Sequence, residues 1–323
     1  MLQLRLVVPT ARREPIEKLL LADPRVVNVV VLRDAALDPV GDAVSCDVAR
    51  EAASDIIARL RELGLDDGGT VAIQEVTASP SKAARRAEEA APGNPDDGVV
   101  WDIVTGQAYE HVRPSWTFYV FLTLATMIAS IAVIEDSSIL VVGAMVVGPE
   151  YGAVAGVAFG FAMLERRLIG RGIRLLLLGF TVAILITAVF ALLWAALGWI
   201  DSDTLNSPRP QTGFIWRPDH WSLVVAVLAG VAGTLSLTAG RTAVLVGVFI
   251  SVTTVPAAGN LALALALADP SELRGSGAQL LLNLVGMIAA GAIVLVLQRV
   301  VWARWGRLVR FDARGRLIRP RAR

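Results

Sequence analysis

The chain has 323 residues, of which 55% are hydrophobic and 18% are charged, and its mean hydropathy is +0.60. Soluble globular domains carry about 25% charged and ~45–50% apolar residues, so this composition excludes a wholly soluble fold and a disordered chain. Cys46 is the only cysteine, which excludes a disulfide scaffold. The formal net charge of +1 is the sum over an acidic N-terminal region, a core with few charges and a basic C-terminal region. The total therefore does not indicate which kind of partner the protein binds.

The N-terminal region, residues 1–77, is predicted to be a soluble α+β domain. Alternating apolar and polar residues predict strands at 2–8, 26–32, 42–48 and 70–76, and apolar residues at helical spacing predict helices at 14–21 and 50–63. The order β-α-β-β-α-β is that of the ferredoxin-like fold, in which two helices cover one face of a four-stranded antiparallel sheet. We expect a cytoplasmic regulatory or assembly module, with Cys46 packed as an apolar side chain.

Residues 78–115 are predicted to form a linker followed by an interfacial helix. Pro92-Gly93-Asn94-Pro95 breaks regular structure, whereas 99–111 has the one-sided apolar pattern of a helix lying along a membrane surface. His111 is expected to be a solvated residue at the membrane boundary. At the other end, the tail 299–323 holds nine arginines and one aspartate. Since this tail follows an apolar segment directly, its expected partners are anionic lipid head groups and not nucleic acid.

Between these regions, six apolar segments reach the ~20 residues that cross a ~30 Å hydrocarbon core. They are 116–134, 138–163, 173–199, 222–239, 242–268 and 278–297, within a membrane domain predicted to cover 116–298. Arginine-rich connections alternate with acidic ones, which by the positive-inside rule places both termini in the cytoplasm. The sequence therefore predicts an α-helical, multi-pass membrane protein with a cytoplasmic N-terminal domain and a basic cytoplasmic tail.

The second predicted span contains an interruption. Pro149 removes a helical hydrogen bond and clashes with the preceding turn, at a cost of about 3 kcal/mol. Gly148 can take the left-handed conformation that closes a helix, and proline suits the first turn of a new one. We therefore expect one half-helix to end and another to begin at mid-membrane, with a merely kinked helix as the alternative.

A glycine repeat follows this interruption. Gly152, Gly156 and Gly160 fall on one helical face, where the missing side chains allow close packing, either between parts of the chain or between subunits. The second possibility leads us to expect a homo-oligomer.

The fifth predicted span repeats the interruption. Pro256 and Gly259 reproduce the Pro-x-x-Gly spacing of Pro149 and Gly152. Each proline lies in the middle span of a three-span half, and because three is odd, the two halves enter the membrane from opposite sides. The sequence thus predicts two inverted three-span repeats with broken second and fifth spans, an arrangement typical of secondary transporters.

One family resemblance rests on the residues around the first interruption. Glu135-Asp136-Ser137-Ser138 leads into Gly143-Ala144-Met145 and then Gly148-Pro149. This pattern follows a ferredoxin-like N-terminal domain and a helix that precedes the first span. It resembles the bacterial "uncharacterised hydrophobic domain" proteins, the domain-of-unknown-function 389 family. The family usually has serine before this proline and an apolar residue after it, where this chain has Gly148 and Glu150. The resemblance implies a protein of the bacterial inner membrane and no established substrate.

Glu150 is the only acidic residue well inside a predicted span, and an ionisable residue there is a functional candidate by default. It is interpreted as a proton or cation site or a gate, or alternatively as a helix cap or the partner of an arginine. Other polar side chains at comparable positions either line a polar pathway or bond their own helix backbone. They are Ser137, Ser138, Thr253, Thr254 and Asn260, while Asn283 is expected to make an interhelical hydrogen bond.

We therefore expect a transporter or channel for a small solute or ion, with the pathway at the two interruptions. The alternative is a membrane-anchored sensor or scaffold, whose cytoplasmic domain binds a ligand or partner. An enzyme is disfavoured because both histidines, His111 and His220, lie outside the spans. No catalytic residue, cofactor or metal site is expected.

Overall fold

The computed structural model describes residues 1–91, 98–201, 204–205, 207–240, 252–305, 310–311 and 317–318, with side chains as far as residue 301. It divides into two compact units. The first comprises Met1–Val104 with Gln298–Arg323, and the second comprises Thr105–Leu297.

The first unit is built on a four-stranded antiparallel sheet. Its elements are β1 (Leu2–Val8), α1 (Arg13–Ala22), β2 (Val26–Leu37), β3 (Val40–Val48), α2 (Ala53–Glu62) and β4 (Thr70–Glu75). The strands lie in the order β2-β3-β1-β4, with Leu4 opposite Cys46 on one side and Ile73 on the other. The predicted β-α-β-β-α-β connectivity is therefore present.

One face of this sheet carries the core of the unit. Along β1 the side chains alternate, so that Leu2, Leu4 and Leu6 are buried while Gln3 and Arg5 are exposed. The buried face packs against apolar residues of both helices, which are Ile16 and Leu20 from α1 and Ile56, Ile57 and Leu60 from α2. Cys46 is buried in the same core, and burial raises the pKa of its thiol to about 12.

The structure differs from the prediction at two places in this unit. The β2–β3 hairpin is longer than expected, so the turn shrinks to Asp38 and Pro39. A helix, α3 (Lys82–Ala90), also forms within the segment predicted to be a linker. The side chain of Ser81 caps it by accepting a hydrogen bond from the Ala84 amide at 3.0 Å. This cap and the strong helix propensity of alanine outweigh the polar composition that indicated a linker.

The second unit is helical. After α4 (Trp101–His111), which begins in the first unit, the chain forms α5 (Trp116–Ile134), α6 (Ser138–Val147), α7 (Glu150–Met163), α8 (Arg166–Ala196), α9 (His220–Thr238), α10 (Thr254–Ala266) and α11 (Pro270–Trp305). In the C-terminal segment, Arg310–Phe311 and Leu317–Ile318 pair as two short strands.

Four of these helices are long and apolar enough to cross a membrane, namely α5, α8, α9 and the part Pro270–Val301 of α11. Together, α6 and α7 are also long and apolar enough to cross a membrane, but the two helices are bent by 58° relative to each other. α10 is apolar but shorter. The described residues thus contain four or five candidate spans, and the six predicted spans and the inverted repeat are not confirmed. Residues 242–251, the upstream part of the predicted fifth span, lie outside the described residues.

Two helices begin earlier than the apolar segments indicated. α8 starts at Arg166, so the four arginines up to Arg174 lie on the helix and the connection shrinks to Leu164 and Glu165. Arginine is a good helix former, and hydropathy detects only the apolar part of a longer helix. α11 starts at Pro270, and proline is favoured at the first position of a helix. The preceding residue, Asp269, caps the helix, because its carboxylate accepts a hydrogen bond from the Ser271 amide at 2.9 Å.

The glycine repeat of α7 is packed within the chain. Gly152 lies under the imidazole of His111, Gly156 against Val112, and Gly160 against Ile169 of α8. His111 is consequently half-buried and not solvated, and burial lowers its pKa. Because the chain's own helices cover this glycine face, the face gives no support for a homo-oligomer.

Candidate functional site

The first interruption lies where the sequence predicts it. α6 ends at Val147 and α7 begins at Glu150, with Gly148 and Pro149 between them. Gly148 has φ −66° and ψ 128°, so it is extended and not left-handed as expected. The reason is the following proline, whose ring disfavours helical conformations in the residue before it. The 10 residues of α6 correspond to about 15 Å, half of a ~30 Å hydrocarbon core.

The second interruption lies slightly upstream of the predicted one. Val252 and Thr253 are not helical, and α10 begins at Thr254, which places Pro256 within the first turn of the helix. A proline is tolerated there because the amide groups of the first turn have no intrahelical acceptor.

The first interruption lies against the first turn of α10. A Cβ atom placed on Gly148 would lie 2.7 Å from Cγ2 of Val255, and it would also overlap the carboxylate of Glu150. Only glycine leaves room for this approach. The structure therefore brings together Gly148, Pro149 and Glu150 from one predicted interruption and Val255 from the other.

Glu150 is buried at this junction, with 9% of its surface exposed. Its Oε2 atom makes no hydrogen bond with any residue that the structure describes, and no described arginine or lysine lies within salt-bridge distance of its carboxylate. Within the described part of the chain, the alternative of a structural arginine partner therefore has no support. The position in the first turn of α7 favours a carboxylate, since the positive end of the helix dipole lies there.

A cavity of about 230 Å³ reaches the second interruption. It is lined by Phe214, Arg217, Asp219, Trp221, Ser222, Val225, Thr253, Gln279 and Asn283. Asp219 precedes the first residue of α9, whereas Thr253 lies 13 residues before the end of α10 and Asn283 lies 13 residues into α11. At ~1.5 Å per residue, the inner end of the cavity is about 20 Å from the ends of these two helices.

Polar side chains form the inner end of this cavity. The Thr253 hydroxyl oxygen accepts hydrogen bonds from Gln279 Nε2 at 3.0 Å and from Asn283 Nδ2 at 3.1 Å. Asn283 of α11 thus bonds to the residue that precedes α10, whereas the sequence predicts a bond between two helices. Gln279 was not singled out from the sequence, although its spacing of four residues from Asn283 places both amides on one face of the helix.

A second buried polar network lies farther along α10, around Asn260. The guanidinium of Arg209 forms an ion pair with Glu272, and these side chains are only 5% and 3% exposed. Asn260 accepts from Arg209 Nη1 at 3.1 Å and donates to Glu272 Oε2 at 3.0 Å and Ser276 Oγ at 2.7 Å. Asn260 therefore belongs to this network, and the structure does not bring it to the interruption.

The remaining predicted site residues are dispersed. Ser137 caps α6, and Ser138 donates to Gln211 at 2.9 Å, at the end of the helices away from the interruptions. Gly259 packs against Ala129 and Ser130 of α5. The Thr254 hydroxyl is buried and makes no hydrogen bond with a described residue.

The segment that carries Arg209 is fixed at a second point by Asp136. The Asp136 carboxylate accepts from the amides of Gln211 at 3.1 Å and Thr212 at 2.9 Å, and from the Thr212 hydroxyl at 2.8 Å. Desolvation opposes the charged form, but these hydrogen bonds outweigh it and lower the pKa of Asp136. Neither Arg209 nor Glu272 was predicted as a site residue, because nothing local in the sequence connects positions 63 residues apart.

Comparison with known proteins finds that part of this chain is similar to one family. The model of the "Domain of unknown function (DUF389)" matches residues 145–289. The uncharacterised protein MJ0678 of the archaeon Methanocaldococcus jannaschii is 24% identical over 176 residues, which are 54% of this chain and 51% of that protein. The chain therefore spans about half the length of this curated relative, and no solved structure matches. The predicted resemblance to the domain-of-unknown-function 389 family is thus confirmed, and the chain carries this domain over residues 145–289.

Proposed function

We propose that the protein is a membrane transporter or channel for a small solute or ion, and that its pathway passes the two helix interruptions. The observation that carries the proposal is the contact of Gly148 with Val255 beside a buried carboxylate, Glu150, that has an oxygen without a partner among the described residues. Ionisable residues at membrane depth are costly and mark ion or substrate pathways.

The cavity supports the same proposal. Non-helical backbone at membrane depth is tolerated where it is buried in protein or lines a water-filled cavity. The cavity of about 230 Å³ ends at Thr253, two residues from Val255, and therefore connects the interrupted segment with the loop before α9. In the predicted orientation this loop is extracytoplasmic, so a solute would approach from outside.

The opposite side of the interruption is densely packed. Gly152 and Gly156 hold His111 and Val112 in contact with α7, and Gly172 of α8 lies against Val157. A pathway through the protein would require these helices to separate, as in alternating access. The N-terminal domain would then serve as a regulatory or assembly module, and the arginine-rich tail would bind anionic lipid head groups in a multi-pass protein of the inner membrane.

The test is solute flux into liposomes that contain the full chain. Glu150→Gln keeps the shape of the side chain but removes its charge, so we expect at least about a tenfold reduction in flux, equivalent to about 1.4 kcal/mol in the barrier. Glu165→Gln, at an exposed carboxylate between α7 and α8, is the matched control and should leave flux unchanged. Pro149→Ala should also alter the flux, since alanine restores the backbone N–H group that proline lacks at the interruption.

A different outcome would favour the sensor or scaffold function. If the wild-type chain passes no solute from a broad panel of ions and small metabolites, and a ligand binds to residues 1–77 alone, the transport proposal is wrong. The same holds if flux occurs but neither Glu150→Gln nor Pro149→Ala changes it.

A further inference from the structure

A second cavity, of about 460 Å³, lies between the connection from α4 to α5 and the first two turns of α8. It is lined by Tyr109, Glu110, Val112, Arg113, Pro114 and Arg171. The two sides meet at Gly172, where an added Cβ atom would lie 3.1 Å from Cγ1 of Val112. Arg113 and Arg171 are the chain neighbours of these two contacting residues, so the backbone segments that carry both arginines are held close together.

The two arginines of this cavity have no carboxylate partner among the described residues. Both are exposed, and neither forms a salt bridge there. Glu110 lines the same cavity but is not paired with either of them. Two arginines and one glutamate leave a formal charge of +1, which matches the single negative charge of a phosphodiester. Guanidinium groups suit phosphate because their N–H groups form a planar fork, and the Tyr109 hydroxyl can donate one more hydrogen bond.

The cavity lies at the expected boundary of the membrane. α5 begins at Trp116, three residues after Arg113, and this tryptophan is 76% exposed. Tryptophans at the ends of spans typically lie at the level of the lipid head groups. On the other side of the cavity, Arg174 is the last charged residue of α8, and the apolar part of that helix follows directly. The arginines of the cavity are therefore placed where the phosphates of a bilayer lie.

An apolar surface continues from the cavity toward the predicted hydrocarbon region. Leu178 lies seven residues after Arg171, hence on the same face of α8, and it is 49% exposed. α5 packs beside it, since a Cβ atom on Gly179 would lie 2.7 Å from the ring of Phe118, and Phe121 of α5 is 50% exposed. An acyl chain can thus lie on this surface while the phosphate of the same lipid occupies the cavity.

We propose that this cavity binds the phosphodiester of a membrane phospholipid, with Arg113 and Arg171 as its cations. Basic pockets beside membrane helices are known to bind lipid head groups. A volume of about 460 Å³ corresponds to roughly 15 water molecules, which is room for a phosphate and a small group esterified to it. The site is separate from the arginine-rich tail, and the inference does not depend on the proposed function. A phosphate ester free in solution has the same chemistry, so the test has to separate it from a lipid.

The test is native mass spectrometry of the full chain, released from dodecyl maltoside micelles after titration with three probes. Dioleoyl phosphatidylglycerol has both a phosphodiester and acyl chains, dioleoylglycerol lacks the phosphate, and glycerol 3-phosphate lacks the acyl chains. We expect phosphatidylglycerol to bind at least about tenfold more tightly than either of the others, because each of them lacks one of the two contributions.

Two double variants with the same loss of charge test the assignment. Arg113→Gln with Arg171→Gln should weaken phosphatidylglycerol binding by about 100-fold, since each lost hydrogen bond between charged groups contributes about tenfold. Arg166→Gln with Arg167→Gln changes two exposed arginines of α8 that do not line the cavity, and its effect should stay below about threefold because exposed charges are screened. Glu110→Gln removes the like charge and should tighten binding by about two- to fivefold, a gain that misfolding does not produce. Lipid held at the arginine-rich tail is common to all variants, so their comparison isolates the cavity.

The inference is overturned if phosphatidylglycerol does not bind, if the two double variants lose the same affinity, or if Glu110→Gln fails to tighten binding. Equal affinities for phosphatidylglycerol and glycerol 3-phosphate would assign the cavity to a free phosphate ester and reject the lipid. Equal affinities for phosphatidylglycerol and dioleoylglycerol would leave the arginines without a role and reject the phosphate. Each of these results leaves the dependence of flux on Glu150 to be decided by its own assay.

Discussion

The Arg209–Glu272 pair gives a quantitative test of the buried network. Glu272→Gln removes the negative charge and leaves the guanidinium of Arg209 buried, with only neutral acceptors: the new amide oxygen, Asn260 and the Leu205 carbonyl. Removing one partner of a buried ion pair typically costs about 3–5 kcal/mol, because the other charge is left uncompensated. For a unit of this size, 1 kcal/mol corresponds to ~2–4 °C, so the melting temperature should fall by about 6–20 °C.

The assay is thermal unfolding of the full chain in detergent micelles, followed by the fluorescence of its tryptophans. Glu165→Gln removes an exposed carboxylate elsewhere and should leave the melting temperature unchanged. The double variant Arg209→Met with Glu272→Met should recover most of the lost stability, since well-packed apolar residues often replace a buried ion pair at little cost. The reasoning is refuted if Glu272→Gln costs less than about 1 kcal/mol, or if the double variant loses the sum of both single losses.

Two further predictions concern the N-terminal domain and the helix packing. Burial raises the pKa of Glu51 to about 7 from 4.5, so the native state holds this proton more tightly than the unfolded chain. The domain should therefore gain stability as the pH falls from about 7 to 4.5, by about 1.4 kcal/mol per pH unit, and hydrogen exchange of residues 1–77 should lose this dependence in Glu51→Gln. Gly259→Val should destabilise the membrane domain by about 1–3 kcal/mol, because a Cβ there lies 2.7 Å from Ala129 Cβ and 2.8 Å from the Ser130 amide nitrogen. An unchanged melting temperature for Gly259→Val would contradict this packing.

The elements that the sequence predicts best are those with a strong local signal. β1 and α5 have the predicted bounds, 2–8 and 116–134, because strict alternation marks the strand and an uninterrupted apolar run marks the helix. Ser115 also caps α5 by accepting from the Phe118 amide at 3.2 Å. The start of α8 and the whole of α3 were missed, because charged residues with high helix propensity resemble a connection when only hydropathy is considered.

The candidate site was predictable in part for the same reason. Pro149 marks an interruption by its own covalent structure, and Glu150 stands out because the surrounding segment has no other charge. The pairing of Arg209 with Glu272, by contrast, depends on how the segment between α8 and α9 packs against α11, which no local pattern encodes. The conformation of Gly148 was mispredicted because the freedom of glycine was considered without the restriction that the next residue imposes.

The sequence separation of the Arg209–Glu272 pair has a consequence for biosynthesis. A ribosome adding about 5–20 residues per second completes Glu272 about 3–13 s after Arg209, because Glu272 is 63 residues later in the chain. Throughout that delay the guanidinium lacks Glu272, its ion-pair partner, and the cost of burying a charge without its partner favours leaving it in water. Asp136 can hold Gln211 and Thr212 before Glu272 is made, but Arg209 can be buried as an ion pair only after the first turn of α11 has been synthesised.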